Sequence, residues 1–392
     1  MRAKAWLLLL PLVAGVAMLP SRAAEPAPPN VIEALQARLD KGETKLTFAE
    51  DGQGYLRSLL AALDVPEESQ VLTFTRSSLQ FDRISPKTPR AIYFRDDVAV
   101  AAVHQGKLLE LIVNDKRGGL AFYTLDAAKT DKPRLVEEGN QCAVCHGMVN
   151  RFAPGWIVAN ISATTDGTPV FPDPARPFDI TEQSTPFELR WGGWYVTGSH
   201  GAMKHRGNVA AIDPNRPYDL SATDGLNITD LSDKFDTAQV LKPTSDIVAL
   251  MVLEHQTGFA NRVAVINAQY RSGALADIDK TIDELASFMT FADEAPLPSP
   301  VKGNSAFDAV FARRGLRDAQ GRSLRDFDLQ TRLFRYPLSY MIYSTSFDSM
   351  VPDAKTRLWQ RLHAVLSGSD RGRAAIAILA ATKPDAPADW KR

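Results

Sequence analysis

The hydrophobic pattern in the first third of the chain changes from helical to strand-like. Apolar residues recur at helical spacing over residues 31–41 and 55–63, which predicts two short amphipathic helices. Short runs rich in Val, Ile, Phe and Tyr follow at residues 71–75, 91–94, 98–103, 108–113 and 120–125. The breaks between these runs are short enough for hairpins, so the runs predict a small antiparallel sheet.

The rest of the chain divides into an irregular middle and a helical end. Residues 137–243 show little periodicity and are rich in Pro, Gly, Asp and Thr, and an irregular stretch of this length is typical of a functional site. Helical periodicity then covers residues 246–270, 274–292, 305–314, 325–344, 355–366 and 371–381. We therefore predict an α+β fold with an N-terminal α+β lobe (31–136), an irregular middle (137–243) and a mostly α-helical C-terminal lobe (244–392).

The N-terminus has the pattern of a secretory signal peptide. Arg2 and Lys4 precede an apolar run, and Ser21 and Ala23 supply small residues at the two positions that a signal peptidase reads. A membrane anchor is the alternative, but Pro11 and Gly15 interrupt the run, which is shorter than the roughly 20 residues of a span. We predict that residues 1–23 are removed on export and that the mature protein, without a transmembrane segment, lies in the periplasm.

The charge balance argues against a nucleic-acid partner. The chain has 392 residues, with 45 Lys and Arg against 46 Asp and Glu. Removal of Arg2, Lys4 and Arg22 with the signal leaves 42 basic residues against the same 46 acidic ones. Binding to phosphates requires a basic face, which this composition does not indicate.

The two cysteines carry the most specific motif. They lie in the run Cys142-Ala143-Val144-Cys145-His146, which is the attachment signature of a c-type haem. Residues three apart share a helix face, so both thiols can form thioethers with one porphyrin, and His146 can ligate the iron as the proximal imidazole. The sequence therefore predicts one covalent haem c.

Three other interpretations of the cysteine pair are weaker. A thioredoxin-like redox pair needs a βαβ context, which the pattern does not show. A structural zinc site needs four ligands, and there is no second cysteine pair. A local disulfide is compatible with export, but it leaves His146 without a role.

With this motif the chain resembles the c-type cytochromes, and over most of its length it resembles a group of large exported bacterial single-haem cytochrome c domain proteins. The similar stretches are residues 89–98, the haem motif, and residues 191–208, 324–329 and 333–340. The resemblance implies haem attachment at Cys142, Cys145 and His146, and it implies no substrate. Unlike small electron-carrying cytochromes, this chain has a long strand-rich segment before the motif, and it lacks the second haem motif of two-haem peroxidases.

The residue on the distal side of the iron decides the chemistry of a haem. The Gly-rich segment 191–208 carries His200, Met203 and His205, and we predict that one of them contacts or lies beside the iron. The alternative is a loop whose histidines bond to the backbone. His255 lies on the predicted helix 246–270. It either contacts the haem or is a hydrogen-bonded histidine of the core. Haem propionates suit arginine partners, and Arg151, Arg190 and Arg206 lie near the motifs; the alternative is that they are ordinary surface arginines.

The function predicted from these residues is one-electron transfer through the covalent haem, to and from a redox partner protein that the sequence does not identify. A haem oxidoreductase of the peroxidase type, with His200 or His205 as a general base, is the alternative. A haem-based sensor with an open distal site is the third. The sequence does not decide whether the protein is an enzyme.

Overall fold

The structure is a computed structural model of the whole chain. It describes residues 28–117, 119–147, 149, 152–170, 179–210 and 225–391. The predicted signal peptide and Arg151 lie outside the described residues.

The predicted antiparallel sheet is confirmed. Two helices, α1 (Val31–Asp40) and α2 (Leu56–Ala62), precede six strands that pair in sequence order, each antiparallel to the next. The strands are β1 (Val71–Thr73), β2 (Arg90–Arg95), β3 (Val98–Val103), β4 (Leu108–Asp115), β5 (Gly119–Asp126) and β6 (Leu135–Glu138). The pattern of apolar runs does not predict β6, because two of its four residues are glutamates.

Each face of the sheet packs on a different core. On one face, side chains such as Tyr93, Val100 and Leu111 pack with α1 and α2. On the other face, Phe94, Ala99 and Ile112 belong to the large cluster that includes the C-terminal helices. Successive residues of a strand point to opposite faces, so one short strand supplies both cores.

The C-terminal part is mostly helical, as predicted. After α3 (Asn140–His146), the helices are α4 (Ile247–Ser272), α5 (Ile278–Met289), α6 (Phe307–Arg313), α7 (Thr345–Asp348), α8 (Pro352–Ser367) and α9 (Asp370–Thr382). The side chain of Asp246 caps α4 by accepting hydrogen bonds from the backbone N–H groups of Val248 and Ala249. The helix is buried along almost its whole length, so it forms the centre of the large cluster.

The helix predicted over residues 325–344 is wrong. This segment contains an antiparallel bridge between Phe327 and Phe334 and only a 3₁₀ turn at Tyr340–Tyr343. Its aromatic side chains pack tightly on one another, with the Phe327 and Phe334 rings 5.2 Å apart and nearly parallel. Aromatic spacing that resembled a helix here reflects a compact aromatic loop.

Polar contacts also join the sheet to the helical part. The carboxylate of Asp97 in the β2–β3 turn accepts the N–H groups of Thr345 and Ser346 at the start of α7. The neighbouring Asp96 pairs with Arg325. Within the ranges that the structure describes, no helix is both long enough and apolar enough to cross a membrane.

Candidate functional site

The cysteine pair lies on a short helix directly after the last strand. β6 ends at Glu138, and α3 carries Cys142 and Cys145 one turn apart, so that both lie on the same side of the helix. Both thiols are free. Partial burial, helped by the carboxylate of Glu138, raises the pKa of the Cys142 thiol, which is therefore protonated at neutral pH.

His146 is held with one ring nitrogen available for a metal. Its Nδ1 lies 2.7 Å from the carbonyl oxygen of Gly155. Because a carbonyl only accepts, Nδ1 must carry the proton, which leaves the lone pair on Nε2. Burial lowers the pKa of His146, and the ring packs 4.8 Å from that of Phe122 on β5. The imidazole is thus neutral and oriented as a metal ligand requires.

Trp156, the residue after Gly155, bonds to two elements of the fold and so holds the Gly155 carbonyl in place. The backbone N–H of Trp156 donates to Asn261 on α4, and the Asn261 amide donates back to the Trp156 carbonyl. The indole Nε1 of Trp156 donates to Asn114 on β4, at 2.8 Å. The carbonyl that orients His146 is therefore tied to both the sheet and the longest helix.

Cys142, Cys145 and His146 line one cavity of about 400 Å³, which we call the sheet cavity. Its floor is the face of the sheet that carries Ile92, Ile112 and Phe122, and its volume lies within the range of small-molecule and cofactor sites. Ala99 and Ala101 on β3 leave room above the floor because their side chains are single methyl groups.

Aromatic and apolar side chains form the walls and mouth of the sheet cavity. Trp156, Trp194 and, from α4, Leu253 line it. At the mouth, Leu79 and Phe81 are 38% and 59% exposed, although both are large apolar side chains. Burial of such a rim by an apolar ligand is favourable, so the walls and the mouth suit a large flat hydrophobic group.

Among the described residues, three charged side chains also line the cavity. Arg90 on β2 and Glu110 on β4 form an ion pair of 2.5 Å. Arg76 pairs with the exposed Asp166 instead. Sequence analysis missed Arg90 and Glu110, although each lies two residues before an isoleucine and so shares its face of the strand. The signal was present, but the pattern alone does not reveal what that face contacts.

The structure does not place the distal candidates along the sheet cavity. His200 and His205 are buried and contact each other, with their Nε2 atoms 3.3 Å apart. The N–H of Asn227 donates to His200 Nε2, and that of Gly207 donates to His205 Nδ1. Met203 is buried in the large cluster. A distal role for any of the three stays a prediction, and these contacts give it no support.

Three other candidates do not line the sheet cavity. Arg190, a predicted propionate partner, is buried against Glu254 at 2.7 Å, and its guanidinium lies over the Phe187 ring. Arg206 does not line the cavity either. His255 is a core residue, as one of the two interpretations held, because Gln183 and Ser339 contact its two ring nitrogens.

The residues present fit a covalently bound haem. Two free thiols on one side of a helix line the same cavity as an imidazole whose Nε2 is available. The buried Nε of Arg90 has no hydrogen-bond partner among the described residues, and such an N–H suits an anionic group. Within the described residues, no group of three or more His, Cys, Asp or Glu side chains is arranged to hold a metal ion.

A scan of protein-family models and searches of curated proteins and of solved structures found no match to this chain.

Proposed function

We propose that this protein is an exported, periplasmic c-type cytochrome that carries one covalent haem c and transfers single electrons to and from a redox partner protein. The observation that carries the proposal is the convergence of Cys142, Cys145 and His146 on one apolar cavity, with His146 Nδ1 bonded to the Gly155 carbonyl. Bound haem supplies a ferric–ferrous couple.

The chain's own residues have distinct tasks in this proposal. The thiols of Cys142 and Cys145 form the two thioethers, and the Nε2 atom of His146 ligates the iron. Gly155 holds the imidazole in the ligating tautomer, and Asn261 and Asn114 hold the segment that carries Gly155. The apolar floor and the two tryptophans exclude water, which raises the reduction potential of a buried haem.

Absorption spectra of the protein exported with the haem-attachment machinery test the proposal. We expect ferric and ferrous haem spectra, and haem that stays with the protein after acid and organic extraction, because thioethers survive this treatment. Cys142→Ser with Cys145→Ser should give no retained haem. His146→Ala should change the iron spectrum, whereas His363→Ala, on α8, should not. A wild-type protein without retained haem would overturn the proposal.

A haem oxidoreductase or haem-based sensor with an open distal site is the second candidate. The contacts of His200 and His205 favour this candidate. Their ring nitrogens bond to each other and to backbone N–H groups, so neither histidine is positioned to close the distal side of the iron. A low-spin six-coordinate spectrum that His200→Ala or His205→Ala abolishes supports a closed iron and electron transfer. A high-spin spectrum that shifts with cyanide, carbon monoxide or peroxide supports the open site.

A further inference from the structure

The ion pair of Arg90 and Glu110 is the remaining unexplained feature of the sheet cavity. The side chains are 19% and 12% exposed, so the pair is largely removed from water. Desolvation of the two charges is costly, and a well-packed apolar pair is often as stabilising as a buried ion pair.

The register of the sheet explains how the pair forms. Arg90 lies opposite Val103, and Glu110 lies opposite Ala101, so the two charged residues flank β3 on the same face. The small side chain of Ala101 lets the arginine reach across β3 to the carboxylate. Gln80 adds a contact of 3.4 Å to the second oxygen of Glu110.

The charges of this pair reach the proposed haem-binding residues. Arg90 and Glu110 line the same cavity as Cys142, Cys145 and His146. Arg76, the other charged residue that the structure describes along the cavity, is neutralised by Asp166. Charges interact strongly where water does not screen them, so a group bound in the cavity feels both members of the pair.

We propose that Arg90 and Glu110 exert opposing effects on the reduction potential of the haem in the sheet cavity, with Glu110 favouring the ferric iron and Arg90 the ferrous iron. The inference rests on the proposed function. Oxidation adds one positive charge at the iron, which a nearby carboxylate stabilises and a nearby guanidinium opposes. Because both charges are present, their effects largely cancel in the native protein.

Redox titration of the full-length haem-loaded protein tests this inference. Glu110→Gln should raise the midpoint potential and Arg90→Gln should lower it. The double variant should return towards the wild-type value, since it is neutral like the intact pair. Arg90→Lys keeps the charge and should also stay near wild type, which separates charge from packing. If Glu110→Gln fails to fold, a midpoint that Arg90→Gln lowers and Arg90→Lys leaves near wild type still supports the inference, and an unshifted midpoint in Arg90→Gln contradicts it.

A matched control is the exposed pair of Asp283 and Arg361, which joins α5 and α8. Asp283→Asn removes the same charge outside the cavity and should leave the midpoint unchanged. If the haem is retained but both single variants have unshifted midpoints, or midpoints shifted in the same direction, the inference about the pair is wrong and the proposed function still stands. Absence of covalent haem in the wild type would instead overturn the proposed function, and extraction detects this before any titration.

Discussion

At the scale of single residues, burial decides the roles of the histidines more than their position in the chain. His146 and His255 are both neutral, but their ring nitrogens have different partners. His146 uses one nitrogen and keeps Nε2 free, which suits a ligand. His255 donates a hydrogen bond from Nδ1 to Gln183 and accepts one from the Ser339 hydroxyl at Nε2, so both nitrogens have partners.

His255 makes the protein sensitive to acid. Burial, aided by the positive charge of Arg262, lowers its pKa to about 3. The unfolded chain therefore binds a proton that the folded chain does not as the pH falls below about 6.5. Stability present above that pH is lost towards pH 3, by up to about 1.4 kcal/mol for each pH unit.

The test measures the free energy of unfolding against pH in the wild type and in His255→Gln. The variant loses the stacking of the ring on Phe288 and Phe291 and is less stable at pH 7. It should lose less stability than the wild type between pH 6 and pH 4. Parallel pH profiles of the two proteins would show that this histidine does not cause the acid sensitivity.

At the scale of elements, α4 connects the Gly-rich segment to the cavity. Glu254 on α4 bonds to Arg190 and to the indole of Trp191, while Leu253 and Thr257 of the same helix line the sheet cavity. Burial raises the pKa of Glu254 to about 7, against the opposing effect of Arg190. A buried ion pair thus fixes the start of segment 191–208 to the helix behind the cavity.

Removal of one member of this pair should be strongly destabilising. Glu254→Gln leaves the Arg190 guanidinium buried without its carboxylate, and we expect a loss of about 3–5 kcal/mol in the free energy of unfolding. Adding Arg190→Met should recover part of this loss because no unpaired charge remains. Urea unfolding of Glu254→Gln, Arg190→Met and the double variant gives the free energies of unfolding. A double variant that is less stable than both single variants would contradict this explanation.

At the scale of the whole molecule, the sheet depends on the C-terminal helices. One face of the sheet contributes Val71, Phe94 and Ala99 to the same core as those helices. Asp97 caps the start of α7 from the β2–β3 turn. Asn261, far along the chain on α4, holds the segment beside His146.

The N-terminal and middle regions should therefore not fold alone. A fragment of residues 24–243 exposes the apolar sheet face and lacks Leu253, Thr257 and Asn261 at the sheet cavity. We expect it to aggregate or bind a hydrophobic dye, and to retain no ordered haem site. A fragment that unfolds cooperatively and shows the full-length haem spectrum would prove that the predicted lobes are independent domains.

Local pattern accounts for much of what could be predicted about the fold. Five of the six strands and the long helix α4 are predicted by apolar periodicity. The spacing of buried positions within one strand or helix depends only on the geometry of that element, so it can be seen in a short stretch of sequence. The prediction of a helix over residues 325–344 failed because aromatic packing on residues distant in the chain, as between Phe334 and Phe291, overrode local propensity. The candidate site was predictable for the same reason, because Cys142, Cys145 and His146 lie within five consecutive residues.

The sequence by itself determined the α+β order of elements and the two thiols and imidazole of the proposed haem motif, because both depend on short spacings. Only the tertiary structure decided what surrounds that motif. It placed Gly155 against His146, brought Arg90 and Glu110 across β3, and held His200 and His205 against each other. These contacts depend on how the loops fold and how the strands pair, and no spacing of residues along the chain reveals them.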